Sequence, residues 1–193
     1  MTKLFILFCG AFMVSLTSCE KSMLLFSNEK AAKFIVDGDQ AYVNGVLGQT
    51  AHKRFKKFIE EYPDVKTLIL ENIPGSINDA YNVQTCELLH KQGINTKAMS
   101  YSEIASGGVD LLISGNERSI ELGAKIGVHS WRSGDKEGIE YSLDSPEHQI
   151  FFDLFEAIEM DTAFYWFTLR AAPADSIHWM TEDEIDWYGL RKP

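Results

Sequence analysis

The sequence predicts an α/β protein whose helices cover a mainly parallel sheet. Short β-rich runs alternate with amphipathic helical stretches, and a helical crossover of about a dozen residues is what joins parallel strands. Turn signals built on Pro, Gly and Asp separate these runs. Across 193 residues, 45% are hydrophobic and 12% aromatic, enough apolar surface for a packed core and too much for a disordered chain. That length, with no internal repeat or long linker, sets one domain.

Phe34–Val36 and Ala41–Val43 flank Asp37-Gly38-Asp39, a turn between two strands. Thr50 to Tyr62 reads as a helix, with Phe55, Phe58 and Ile59 on one face and Lys53, Arg54, Lys56 and Lys57 on the others. Val65–Leu70 is a buried strand. After Pro74-Gly75, Asn78 or Asp79 caps a helix to about Lys91. Ile94–Met99 is a short strand, a helix starts near Ser106, and Ala124–His129 is a strand. Pro146 opens an amphipathic helix through Ile158, Asp161–Ala171 forms another, and Thr181 with Glu184 makes a capping box for a last short helix.

The N-terminus differs in kind from the rest. Lys3 precedes an apolar run from Leu4 to Leu16, then Thr17-Ser18-Cys19. As a helix that run would reach about 20 Å, short of the roughly 30 Å hydrocarbon core of a bilayer. A charged start, a short apolar stretch and a small-residue exit describe a secretory signal peptide. Its end resembles the lipobox of bacterial lipoproteins, which implies lipidation of Cys19 and a signal peptide of residues 1–18. A signal peptide that merely contains Cys19, or a short membrane anchor, are the plainer readings. Glu20 after the cysteine favours an outer-membrane destination in that pattern. Residues 19–33 then read as a tether with a short docking contact at Leu24-Leu25-Phe26, and residues 34–193 as the domain.

The chain carries 18 basic and 28 acidic residues, a formal charge of −10. Such a surface argues against nucleic acid as a partner. Without Lys3 the mature balance becomes −11. Of three cysteines, removal of Cys9 leaves the anchor Cys19 and Cys86, which reads as a small buried hydrophobe. No metal-ligand spacing or Gly-x-Gly-x-x-Gly loop is present, so neither a metal nor another cofactor is expected.

Three segments leave strands where α/β folds gather their chemistry. In Ala105-Ser106-Gly107-Gly108 a serine stands at a helix start, where unpaired N–H groups and the dipole favour negative charge. The Gly107 N–H would meet an oxyanion formed by attack of Ser106 on a carbonyl. Equally, Ser-Gly-Gly is a common loop or cap. His129 ends an apolar strand and suits proton transfer near neutrality; otherwise it caps the strand or packs on Trp131. Gly75 lets backbone approach a ligand and offers a second N–H, or is a plain turn glycine. His52, His90, His148 and His178 read as surface or structural. Phe164-Tyr165-Trp166-Phe167 reads as core or subunit contact.

Together, Pro74-Gly75-Ser76, Ala105-Ser106-Gly107-Gly108, Leu111-Leu112-Ile113-Ser114-Gly115, Arg118 and Val128-His129 resemble the Clp-protease proteolytic subunit family. The pattern is similar also to the signal-peptide-peptidase and periplasmic Clp-like branches of the same crotonase-type superfamily. It covers about Phe34 to Leu190, and the 23 positions from Ser106 to His129 match it. The resemblance implies a fold of repeated ββα and βα units. It implies Ser106 as nucleophile, His129 as general base, and Gly107 and Gly75 as oxyanion donors. Two departures stand out. The turn lacks one glycine of the usual Gly-Gly pair, and Ile177 occupies the place of the third triad acid, leaving Asp175 two residues away as the substitute. The expected function is a membrane-tethered, extracytoplasmic serine peptidase acting on peptide or protein, with homo-oligomerisation suggested by family rings. The alternative is a non-catalytic Clp-like binding or scaffolding module of the envelope. Crotonase-type acyl-CoA chemistry is disfavoured by an extracytoplasmic address.

Overall fold

A computed structural model describes residues 30–193. The lipobox, Cys19 and most of the tether lie outside the described residues. Strands β1 (Lys33–Asp37) and β2 (Gln40–Asn44) form an antiparallel hairpin. Helix α1 (Gln49–Glu61) leads to β3 (Thr67–Ile73), and α2 (Asp79–Lys91) to β4 (Asn95–Ala105). Helix α3 (Gly107–Ile113), β5 (Arg118–Ile120) and β6 (Lys125–Val128) follow. A small hairpin, β7 (Arg132–Ser133) with β8 (Lys136–Glu137), precedes α4 (Gln149–Ala157), α5 (Thr162–Ala171), β9 (His178–Trp179) and α6 (Glu182–Trp187).

The main sheet runs β1-β2-β3-β4-β6-β9, with β5 also paired to β4. The pairs β2–β3, β3–β4, β4–β5 and β4–β6 are parallel, so the sheet is mainly parallel as the alternating pattern predicts. Packing reaches back beyond β1. Ala31 and Ala32 are buried, Ala32 N–H donates to Val46 O (2.8 Å), and Arg54 donates to Ala31 O (2.6 Å). The last residues of the expected tether are therefore part of the packed body.

Local chemistry explains the helix ends. Asn78 Oδ1 accepts from Tyr81 N–H, so Asn78 is the cap of α2 and Asp79 its first helical residue. Asp161 caps α5, and Thr181 with Glu184 forms the capping box of α6. Amphipathic spacing sends Phe55 and Phe58 of α1, Leu154 and Phe155 of α4, and Phe164 and Leu169 of α5 into one core with the sheet. Cys86 is fully buried there, and burial pushes its thiol well above the ordinary range, as suits an inert core cysteine.

β4 is longer than the sequence suggests. The run Ile94–Met99 ends at an irregularity, after which the strand resumes. Register passes from Leu70↔Ala98 to Asn72↔Glu103, so five positions on β4 match two on β3. Ser102 holds this bulge, its hydroxyl donating to Leu70 O and accepting from Met99 N–H. Ile104 and Ala105 then pair with Ile126 and Gly127 of β6. The bulge thus carries the chain to the sheet edge at Ser106.

Arg118 locks the C-terminus. It is 7% exposed and donates to Leu190 O (2.9 Å), Ile113 O (3.0 Å) and Gly189 O (3.0 Å). Arg118→Met is expected to orphan three carbonyls at the end of α3 and the C-terminal Gly-Leu, costing about 3 kcal/mol or more. Denaturant unfolding measures this; a loss below about 1 kcal/mol would show that the three bonds are not supporting the fold.

Candidate active site

Ser106 sits between β4 and α3 with φ 54° and ψ −130°. A side-chain-bearing residue pays strain for a positive φ, which persists only where the surroundings impose it. Two hydrogen bonds do so here. Ser106 N–H donates to Gly127 O of β6 (2.9 Å), and Ser106 O accepts from Val109 N–H (2.7 Å) as the helix begins. The side chain stands at a sharp strand-to-helix turn, a geometry that presents a nucleophile.

Gly75 follows β3 and lies against Ser106. A Cβ built on it would come within 3.0 Å of Ser106 Cβ and 3.4 Å of Oγ, and its φ is +135°. Both the space and the backbone require glycine. Gly107 and Gly108 are needed for packing: a Cβ on Gly107 would meet Ser76 Cβ at 2.7 Å, and one on Gly108 would meet Ile73 Cγ2 at 2.7 Å. Gly75→Ala is expected to strain the turn and crowd Ser106, lowering thermal stability and, if Ser106 is a nucleophile, its labelling by a fluorophosphonate probe by about 10²-fold. Thermal unfolding beside probe labelling checks this, and unchanged values in both would show that the turn does not need glycine.

His129 follows β6 directly, so the β4–β6 pairing brings it beside Ser106 across a cavity of about 40 Å³. Ser106, Gly107, His129, Asp79 and Asp110 form its polar side, and Trp131, Phe151, Phe155, Phe164 and Tyr165 its aromatic wall. No hydrogen bond among the described residues joins the Ser106 hydroxyl to the His129 ring; such bonds commonly close only around substrate. His129 Nδ1 is buried without a hydrogen-bond partner. Burial lowers the His129 pKa, opposed in part by the carboxylates of Asp79 and Glu137, which favour the cation.

The acidic neighbours are not where the sequence suggests. Asp175 is exposed, does not line the cavity, and acts electrostatically on Arg132. Ile177 packs against Gly127 rather than leaving room for an acid. The carboxylate beside His129 is instead Asp79, at the start of α2. Burial raises the Asp79 pKa, and His129 partly offsets this. Behind it, burial pushes Asp110 up to about 7, with the neighbouring Asp79 charge adding to the shift and a hydrogen bond from Asn82 opposing it. Asn82 Nδ2 also donates to Gly107 O (2.9 Å), tying α2 to the start of α3.

The sequence offers Asp79 only as an alternative to Asn78 for the cap of α2 and assigns nothing to Asp110. A signal for Asp110 existed: it lies four positions after Ser106, one helical turn along. No local signal marks Asp79, whose role depends on the α2 start meeting the end of β6. The other histidines are structural. His148 is fully buried, with Nδ1 2.6 Å from the Tyr165 hydroxyl, which also accepts from Trp131 Nε1 (2.9 Å). His178 lies 3.0 Å from Glu184 and edge-on to Phe167. Trp131 is thus a fixed part of the cavity wall, and Phe164 and Tyr165 are core.

These features define a fold. It is mixed α/β with a mainly parallel sheet, of the crotonase/Clp-protease type, and solved proteins that share it include a protease and acyl-CoA enzymes. No protein-family profile and no curated relative matches the sequence. Among solved structures, one similar fold is a membrane-bound stomatin-specific protease in complex with a substrate peptide. It is 15% identical, with a TM-score of 0.52, covering 79% of this chain and 71% of that one. A methylmalonyl-CoA decarboxylase is 9% identical with a TM-score of 0.52, covering 84% and 67%. An enoyl-CoA hydratase from Polaromonas sp. JS666 is 9% identical with a TM-score of 0.50, covering 83% and 69%.

Proposed function

We propose that the chain is a serine hydrolase of peptidase type, working outside the cytoplasm and held to a membrane by lipid on Cys19. The strained Ser106, facing His129 across a shared cavity, carries this reading. His129 takes the Ser106 proton as Oγ attacks the scissile carbonyl. N–H groups of Gly107 and Gly75 stabilise the developing oxyanion. The protonated His129 then gives its proton to the leaving amine, and water, deprotonated by His129, releases the acyl group. Asp79, rather than Asp175, stabilises the imidazolium. The stomatin-specific protease, which shares the fold and was solved with peptide, favours an amide as substrate over a thioester.

The test is labelling of the purified chain by a fluorophosphonate probe. His129→Ala is expected to slow labelling by about 10³-fold or more. Because burial lowers the His129 pKa, the neutral base persists below the ordinary pH 6.5. The labelling rate should therefore be flat through neutrality and fall only under more acid conditions. A fall centred above pH 6.5, or labelling indifferent to His129→Ala, would defeat the assignment of His129 as base. Metabolic incorporation of a lipid precursor, lost in Cys19→Ala, tests the anchor separately.

A further inference from the structure

The acidic total conceals an uneven distribution of charge along the chain. Residues 67–193 carry nine basic against 21 acidic side chains, a net −12, whereas residues 30–66 carry seven against five, a net +2. The excess of positive charge gathers on α1. Ala51, Phe55 and Phe58 turn to the core, which leaves Lys53, Lys56 and Lys57 exposed on the opposite side. The patch extends both ways. One flanking cleft is bounded by Lys33, Lys57 and Tyr62, the other by Lys56 and Lys91. Tyr62 is 46% exposed at the end of the helix. Acids inside the patch are few: Glu87, Glu60, and Glu61, which pairs with Lys57 at 3.3 Å on the open surface, where such a pair is weak. Arg54 is committed inward, donating to Ala31 O and Ala32 O. It pins the chain's entry into the domain beside this same helix.

From these placements we propose that the α1 face is a docking surface for anionic lipid headgroups. The argument is charge complementarity together with position. The segment preceding residue 30 joins the body beside α1, so the lipid anchor proposed above, on which this argument of position rests, would hold this face toward the bilayer. Anionic headgroups attract the lysines and repel the net −12 remainder, so the body is oriented as well as bound. Tyr62 has the apolar ring and polar tip that suit an interfacial depth. A nucleic-acid partner fits less well, because the whole molecule is acidic and only one helix face is basic. This surface is separate from the Ser106 site and does not depend on its chemistry.

The test uses the full chain with vesicles of phosphatidylcholine alone and vesicles containing phosphatidylglycerol. Every variant keeps the same N-terminus, so the ratio of the two affinities isolates the charge effect. The wild type should favour the anionic vesicles by about tenfold or more at low salt, the preference falling as salt rises. Lys53→Gln/Lys56→Gln/Lys57→Gln should bring the ratio close to one, while Lys125→Gln/Lys136→Gln, outside the α1 face, leaves it near wild type. Thermal unfolding confirms that each variant is folded. If the α1 variant is unfolded, amide exchange of α1 in the wild type replaces it, with slowing on anionic vesicles alone expected. Equal ratios in wild type and α1 variant, equal exchange on both vesicles, or tighter retention by duplex DNA than by anionic vesicles would overturn the proposal.

Discussion

Ser106→Ala is expected to abolish fluorophosphonate labelling and to reduce any peptide hydrolysis by about 10³-fold or more, leaving the fold intact. The loss should be this large because in the proposed mechanism the hydroxyl is the atom that bonds to the carbonyl, and no neighbouring side chain replaces it. Asp79 and Asp110 are weak nucleophiles in the same cavity, and Cys86 does not line it and has its thiol held protonated by burial. The folding effect should be small, since Oγ makes no structural hydrogen bond and alanine keeps the Cβ at the same backbone position. The φ of 54° is no kinder to alanine than to serine, so the variant retains the strain. Mass spectrometry of the intact probe adduct and thermal unfolding read the two effects separately. An adduct that persists in Ser106→Ala would place the nucleophile elsewhere.

Asp110→Asn is expected to make the protein more stable than wild type above neutral pH. The sign follows from linkage. The folded pKa is raised to about 7, whereas an unfolded aspartate titrates near 4. Between those values the folded state holds a proton that the unfolded state has lost, so Asp110 contributes most below pH 4. That contribution is lost as pH rises through 7. The full interval of about three units would correspond to about 4 kcal/mol, an upper figure because the Asp79 charge is shared in it. Asparagine can still accept from Asn82 Nδ2 and does not ionise. The stability of the variant should therefore change less between pH 5 and pH 8 than that of the wild type, by about 2 kcal/mol or more. Thermal melts at the two pH values test this. Parallel pH dependence in both proteins would show that Asp110 is ionised throughout.

Much of the architecture was readable from local patterns. The turn Asp37-Gly38-Asp39, the phenylalanine spacing of α1, and the caps at Asn78 and Thr181 each act within one or two turns of chain. Ser106 and His129 were readable too, because both stand at junctions that the strand and helix boundaries mark. The extension of β4 was not. It depends on Ser102 bonding to Leu70, 32 positions away, and the local run Ser100-Tyr101-Ser102 looks like a loop. The short strands β5 and β9 escaped for the same reason: each is two or three residues long and exists by pairing with a strand remote in the chain, whereas β7 and β8, two residues each, pair locally but are too short to carry a pattern.

The acidic partner of His129 marks the boundary between the two kinds of information. By itself the sequence determined a mainly parallel α/β domain, an acidic body, a serine at a helix start and a histidine at a strand end. It pointed to Asp175 because the resemblance expects an acid near position 177. The assembled chain fills that place with Ile177 against Gly127 and brings Asp79 and Asp110 to the cavity instead. Helix periodicity and capping are set by neighbours along the chain, so they are written in local sequence. Which carboxylate meets an imidazole is set by how α2, α3 and β6 converge, and by the burial that shifts each group once they do.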